Sequence, residues 1–181
     1  GVSYAKNLLL SEDVMAAVKA INILGIKSKI SKNRTKIFGK GIEGYSYKKN
    51  IIINAKNSGT LGRLILGLLI NTKYPIKLIG DKSLSKRDFS RVTEPLSKFG
   101  AQFKLHKGKY LPLIVFGSQQ LRPIKFFEKK GSAQCKSSVI FGGMRSSGTT
   151  KIKAKKSRNH TELLCKYLNL SLIHISEPTR R

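Results

Sequence analysis

Asn54-Ala55-Lys56-Asn57-Ser58-Gly59-Thr60-Leu61-Gly62-Arg63 joins an apolar strand to an apolar helix through a turn of small residues. Ile51 to Ile53 form a short β-branched run, Ser58 has the side chain of a helix N-cap, and Leu64-Ile65-Leu66-Gly67-Leu68-Leu69 continues as a buried helix. The first N–H groups of such a helix lack intrahelical partners, and the helix dipole adds positive potential there, so the turn suits a phosphate or carboxylate. Gly59 carries no Cβ to obstruct a ligand approaching the backbone. Taken alone, such a capped segment is more often a purely structural strand-to-helix turn.

Outward from this segment the pattern is α+β. Ser11 precedes a helix with Glu12 and Asp13 in its first turn, and Val14, Ala17, Val18, Ile21 and Leu24 recur at helical spacing up to Gly25. A strand from about Ile26 to Ile30 follows. A second helix from Phe89 to Gly100 leads into a strand from Ala101 to Leu105, so that Leu24-Gly25-Ile26 lines up with Phe99-Gly100-Ala101. Glycine at each helix end supplies the left-handed residue the reversal needs. A further helix starts at His160 and ends at Asn169, the common substitute for that glycine, and a strand spans Ile76 to Ile79. The recurrence defines a βαβαββ unit far longer than a solenoid repeat.

Composition fits a globular chain: 181 residues at 40% hydrophobic can bury the core of one domain or two small lobes. Cys135 and Cys165 form neither a metal-ligand spacing nor a disulfide framework, so a reducing, cytoplasmic compartment is the expectation. The longest apolar run, Leu64 to Ile70, is far shorter than the ~20 residues a membrane span needs. A net charge of +27, from 36 Lys+Arg against 9 Asp+Glu, ordinarily suggests a ribosomal or other RNA-binding protein. Here the lysines are scattered through strands, turns and helix faces, and Lys, Ile and Asn are enriched together as an AT-rich genome would produce. No nucleic-acid partner is therefore expected.

Other segments carry chemistry. Arg87, on the turn after the Ile76–Ile79 strand, has a planar fork suited to a bidentate anion contact. Ser132-Ala133-Gln134-Cys135-Lys136-Ser137 begins another helix, where Ser132 can serve simply as an N-cap. Arg63, one turn inside its helix, is read as paired with a carboxylate. His106 and His174 have no partner pattern and are read as surface residues.

Five ordered motifs resemble one family, 5-enolpyruvylshikimate-3-phosphate synthase. Asn54 to Arg63 is similar to Asn-Ala-Gly-Asn-Ser-Gly-Thr-x-x-Arg, with Lys56 in place of a glycine. Gly80-Asp81-Lys82-Ser83-Leu84-Ser85-Lys86-Arg87 looks like Gly-Asp-x-Ser-Leu-x-x-Arg-Pro, with Asp88 where proline is usual. Ser132 to Ser137 resembles Ser-Ala-Gln-x-Lys-Ser, Ser157-Arg158-Asn159-His160-Thr161-Glu162 resembles Ser-Arg-Asp-His-Thr-Glu, and Asn7 to Val14 fits the opening. Gly80 to Arg87 and Ser157 to Glu162 argue against the sister UDP-N-acetylglucosamine enolpyruvyl transferases.

The resemblance implies helices packed inside sheets in an inside-out barrel, with repeated units around a pseudo-threefold axis in one incomplete domain over residues 1–169. It implies transfer of an enolpyruvyl group from phosphoenolpyruvate to the 5-hydroxyl of shikimate 3-phosphate, by a cytoplasmic protein that is a monomer when complete and uses no cofactor or metal. Gly59, Arg87 and Gln134 are expected to bind phosphoenolpyruvate. Ser132, Ala133, Gln134 and Ser157 are expected to bind shikimate 3-phosphate, with Lys136 adding charge. The family's opening Gly-x-Lys-Ser-x-x-x-Arg segment, and a second domain with the acid/base residues, are expected to lie outside this sequence, so no catalytic residue is assigned. Leu170 to Arg181 departs from the family pattern and looks like a translated sequencing adapter, so it is expected to be a non-native tail.

Overall fold

A computed structural model of the chain describes residues 1–31, 33–41 and 44–170. Apart from Leu170, the expected non-native tail lies outside the described residues, as does His174. The elements are β1 (Val2–Lys6), α1 (Glu12–Ile23), β2 (Ser28–Ile30), β3 (Arg34–Phe38), β4 (Ile52–Asn54), α2 (Gly59–Leu69), β5 (Ile76–Ile79), a 3₁₀ turn (Leu84–Lys86), α3 (Ser90–Ser97), β6 (Gln102–His106), β7 (Tyr110–Phe116), β8 (Lys125–Glu128), α4 (Ala133–Gly143), β9 (Lys151–Ala154) and α5 (His160–Tyr167).

The run from β4 to β7 is one βαβαββ unit, as the sequence pattern implied. Its sheet has the order β4-β5-β7-β6, with β4 parallel to β5 and the other pairs antiparallel. The flanking sheets are β1-β3-β2, all antiparallel, and the parallel pair β8-β9. Alternation fixes which face of the middle sheet is inward: Ile76 and Leu78 of β5 and Leu111, Leu113 and Val115 of β7 are buried, while Lys77 is exposed.

α4 lies at the centre of the helix packing. α2 packs against α1, α3 and α4, and α4 also touches α3, α5, β8 and β9. Every residue of α4 from Cys135 to Ile140 is buried, and a helix buried around its circumference lies inside rather than on a surface. α4 is thus enclosed, while α5 leaves Leu163, Leu164 and Tyr167 exposed, and the described strands form three separate sheets rather than the closed inside-out barrel expected.

Local chemistry accounts for the element ends. Ser11, Ser58 and Ser132 each accept a hydrogen bond from the backbone N–H three residues on, and so cap α1, α2 and α4. Gly25 and Gly100 take left-handed φ values of 85° and 115° at the two aligned helix ends. Asn169 does the same at 53°, with its N–H on the Lys166 carbonyl and the Leu170 N–H on that of Cys165. At Gly25 the same closure takes the Ile26 N–H back to the Ile21 carbonyl, 3.0 Å away. Ile26 is therefore part of the helix end, and β2 begins at Ser28 rather than near Ile26.

Candidate functional site

Four loops leave the carboxyl ends of parallel strands: β4 to α2, β5 to the 3₁₀ turn, β8 to α4 and β9 to α5. Every residue singled out from the sequence for ligand contact lies on one of these loops or at the helix start that follows, where ligands gather in α/β arrangements.

The first two loops are tied together. The Asn57 side chain donates to Asp81 Oδ2 at 2.6 Å, and Asp81 Oδ1 accepts from the Leu84 N–H at 2.7 Å. That backbone bond, followed by the one from Asn57, holds the Asp81 carboxyl below the usual range. Lys56, which replaces the family's glycine, sits in the left-handed region at φ 53°, while its N–H is held by Asn54 Oδ1 and its carbonyl by the Asp81 N–H. Asp88, in the proline position, accepts from the Ser90 hydroxyl at 2.6 Å and the Ser90 N–H at 2.7 Å. Hydrogen bonds thus turn the chain into α3 where a fixed φ would otherwise do so.

Gly59 is the first residue of α2, and the Ser58 hydroxyl takes the Leu61 N–H, so the N–H groups of Gly59 and Thr60 face out of the helix end. A Cβ on Gly59 would stand 2.9 Å from Arg87 Nη1 and 3.2 Å from Arg63 Nη1. Two guanidinium groups therefore meet over this glycine, and neither forms an ion pair among the described residues. Burial pushes the Arg63 pKa below its ordinary value, with Arg87 and Arg91 adding repulsion against the opposing influence of Cys135 and Asp88. With Asp81 and Asp88 near but outside ion-pair distance, two crowded guanidinium groups leave net positive potential at this corner, which favours an anion.

Gln134, on the second residue of α4, completes this corner. Its Oε1 accepts from Arg63 Nη1 at 2.7 Å and its Nε2 donates to Thr60 Oγ1 at 3.0 Å. Arg63 is thus bound to an amide, correcting the carboxylate pairing read from the sequence. Its face also lies 5.6 Å from the centre of the Phe89 ring.

Ser132 has both of its readings available. Its oxygen caps α4 by accepting from the Cys135 N–H at 3.3 Å, and its O–H proton remains for an acceptor. The turn before it is fixed by Glu128, a buried carboxylate that accepts from the N–H groups of Lys130 at 3.2 Å and Ser132 at 2.7 Å. Ser157 lies on the neighbouring β9–α5 loop, held alongside by the Lys155 N–H on the Glu128 carbonyl. A Cβ on Gly131 would lie 3.5 Å from the Lys156 carbonyl oxygen, which marks how near the two loops run. Ser157 Oγ is buried and has no hydrogen-bond partner. An orphaned hydroxyl beside a capped helix start is a donor waiting for an acceptor.

The structure therefore sets Arg87 over Gly59 and ties Gln134 to the same corner through Arg63 and Thr60. It places Ser132 and Ala133 at the start of the Gln134 helix, and brings the Ser157 loop beside them without a bond to any. Lys136 does not point its charge at this corner: it is buried and pairs with Glu162 of α5 at 2.5 Å. Beside that pair, the hydroxyls of Ser137 and Thr161 share a 2.7 Å hydrogen bond. Sequence reading missed Glu128, because a lone acid in a lysine-rich chain looks like surface charge, and gave Glu162, the last residue of its motif, no role. His106 is exposed, as expected.

A separate concavity, lined by Asn22, Gly25, Lys27, Ser28, Lys29 and Phe38, contains none of these residues. Among the described residues no group of three or more His, Cys, Asp and Glu could hold a metal ion. None of their helices is long and apolar enough to cross a membrane.

The chain is 38% identical over 174 residues to 3-phosphoshikimate 1-carboxyvinyltransferase of Caldicellulosiruptor bescii, covering 95% of this chain and 40% of that protein. The protein of the same name in Streptococcus mutans is 38% identical over 168 residues, covering 92% and 39%. The solved EPSP synthase of Acinetobacter baumannii superposes with a TM-score of 0.85 at 30% identity, over 92% of this chain and 38% of that one. The chain thus spans about 40% of the length of the relatives it matches. Matching the family over residues 1–181, it belongs to the EPSP synthase (3-phosphoshikimate 1-carboxyvinyltransferase) family.

Proposed function

We propose that this chain forms the anion-gripping part of a 3-phosphoshikimate 1-carboxyvinyltransferase, which moves the enolpyruvyl group of phosphoenolpyruvate to the 5-hydroxyl of shikimate 3-phosphate and releases phosphate. The observation that supports this best is the meeting of Arg87 and Arg63 over Gly59, without an ion pair, at the start of α2. Phosphoenolpyruvate carries a carboxylate and a phosphate on a small frame, and an arginine fork beside outward N–H groups matches either.

In this reading the Gly59 N–H, Arg87 and Gln134 hold phosphoenolpyruvate. Ser132, the Ala133 backbone, Gln134 and Ser157 hold shikimate 3-phosphate, the buried Ser157 hydroxyl donating to its phosphate. Protonation at C3 makes C2 of the enol electrophilic, the 5-hydroxyl attacks C2, and phosphate leaves the tetrahedral intermediate. The residues of this segment stabilise the anions through that sequence and bring the two substrates together. Proton delivery and removal fall to residues elsewhere in the protein. The complete protein acts as a cytoplasmic monomer, without metal, cofactor or nucleic acid.

Calorimetric titration of the chain with phosphoenolpyruvate, in the presence of shikimate 3-phosphate, tests this. Binding that weakens about tenfold or more in Arg87→Ala is the expected result. Equal affinity in both proteins would remove Arg87 from the site and the reading with it.

A further inference from the structure

A carboxamide has two ends of nearly the same shape, and only its partners decide which end faces a ligand. At Gln134 the partner is decisive. A guanidinium has donors and no acceptor, so the atom 2.7 Å from Arg63 Nη1 is the amide oxygen. The nitrogen end is thereby turned away from Arg63, where one of its N–H groups donates to Thr60 Oγ1 at 3.0 Å and the other is left over. Carboxylates and phosphates only accept hydrogen bonds. The orientation Arg63 enforces is the one an anion at this corner can use.

Arg63 is itself held firmly enough to do this. Its backbone carbonyl accepts a 2.9 Å hydrogen bond from Ser138 Oγ, one turn beyond Gln134 on α4, so the same two helices carry both ends of the contact. The Phe89 ring lies 5.6 Å from its guanidinium carbon, and the bare Cα of Gly59 leaves room for the fork. No acidic side chain pairs with it among the described residues.

From this geometry we infer that Arg63 is a positioning residue: through Gln134 Oε1 it locks the Gln134 carboxamide so that the N–H not used by Thr60 is available to the bound anion. The inference rests on the anion-binding reading proposed above. Arg63 thereby acts through Gln134, whereas Arg87 acts on the ligand itself.

Two readouts on the 181-residue chain test it. One is the ¹H,¹⁵N NMR signal of the Gln134 side-chain amide, followed in the wild type, Arg63→Met and Arg63→Lys. A locked amide gives two dispersed, exchange-protected protons in the wild type, which collapse toward free-amide positions in Arg63→Met and recover in part in Arg63→Lys. The other is phosphoenolpyruvate affinity across Arg63→Met, Gln134→Ala and the double variant. Each single change is expected to weaken binding about tenfold, and the double no more than about twofold beyond Gln134→Ala, because both remove one arrangement. Losses that multiply in the double variant would overturn the inference, since Arg63 would then grip the anion independently of Gln134. An unchanged amide signal in Arg63→Met would also overturn it. Where Arg63→Met does not fold, the wild type alone decides, and an unprotected, freely turning Gln134 amide is the overturning result. Absence of any phosphoenolpyruvate response in the wild type and Arg87→Ala alike overturns the ligand reading, while the amide signal still reports whether Arg63 holds Gln134.

Discussion

Gly67 of α2 and Ser138 of α4 touch backbone to backbone: a Cβ added to Gly67 would lie 2.1 Å from the Ser138 carbonyl oxygen. This close approach sets the spacing of the two helices that carry Arg63 and Gln134. Gly67→Ala must push the helices apart, because a carbonyl cannot swing aside as a side-chain tip can. Denaturant unfolding is expected to show a loss of about 3 kcal/mol, the upper range for an overpacked core. A loss under ~0.5 kcal/mol, ordinary for surface changes, would show that the interface is loose.

Gly59→Ala should behave in the opposite way. The new methyl meets the ends of two flexible side chains, Arg87 and Arg63, rather than backbone. Stability is expected to stay within about 0.5 kcal/mol, helped by the lower entropy of the unfolded chain. Phosphoenolpyruvate affinity is expected to fall about tenfold, because the methyl displaces both guanidinium groups from the helix end. Retained affinity in a titration would mean that ligands do not approach the backbone here.

The Lys136–Glu162 pair makes a test of pairing inside the core. Side chains only 5% and 9% exposed carry opposite charges 2.5 Å apart. Lys136→Met leaves Glu162 buried without a partner and is expected to cost about 3–5 kcal/mol. Adding Glu162→Gln should recover much of that loss in thermal or chemical unfolding. A single variant as stable as the wild type would show that water reaches the pair.

Lys56 stands at φ 53° where the family pattern has glycine. A left-handed conformation costs a residue with a Cβ about 1 kcal/mol, partly offset by the greater freedom glycine has when unfolded. Lys56→Gly is therefore expected to raise stability by roughly 0.5 kcal/mol in urea unfolding. A clear decrease would mean that the lysine side chain makes a stabilising contact.

Acid should loosen the β5 loop. Asp81 and Asp88 are both held below the usual carboxyl range, Asp81 first by the Leu84 N–H and Asp88 first by the Ser90 hydroxyl. Folded-state values that are lowered mean that the unfolded chain binds more protons between the two values. The stabilisation is then complete above the ordinary Asp value of about 3.9 and is lost as pH falls through the lower folded values. Stability curves for Asp81→Asn are expected to be flatter than wild type below that pH and parallel to it near neutrality.

Much of the fold was legible because its signals are local. The Ser58 and Ser132 caps, the Ile76–Ile79 strand, and the reversals at Gly25, Gly100 and Asn169 each depend on a few consecutive residues. Strands such as β3, Arg34-Thr35-Lys36-Ile37-Phe38, and β9, Lys151-Ile152-Lys153-Ala154, carried too short an alternation and too many lysines to declare themselves. Their strand character comes from the ladders with β1 and β8.

The same division runs through the site. The sequence by itself determined which residues stand at the mouths of the strand-to-helix turns, because Gly59, Arg87, Ser132, Gln134 and Ser157 hold those places through local chain chemistry and ordered motifs. Only the tertiary structure decided what they touch. Arg63 and Gln134 are 71 residues apart, and Lys136 turns inward to Glu162 although its motif neighbours line the site. Such contacts depend on where the buried α4 crosses α2 and α5, and that crossing is set by the close approach at Gly67 and by burial on every side of α4.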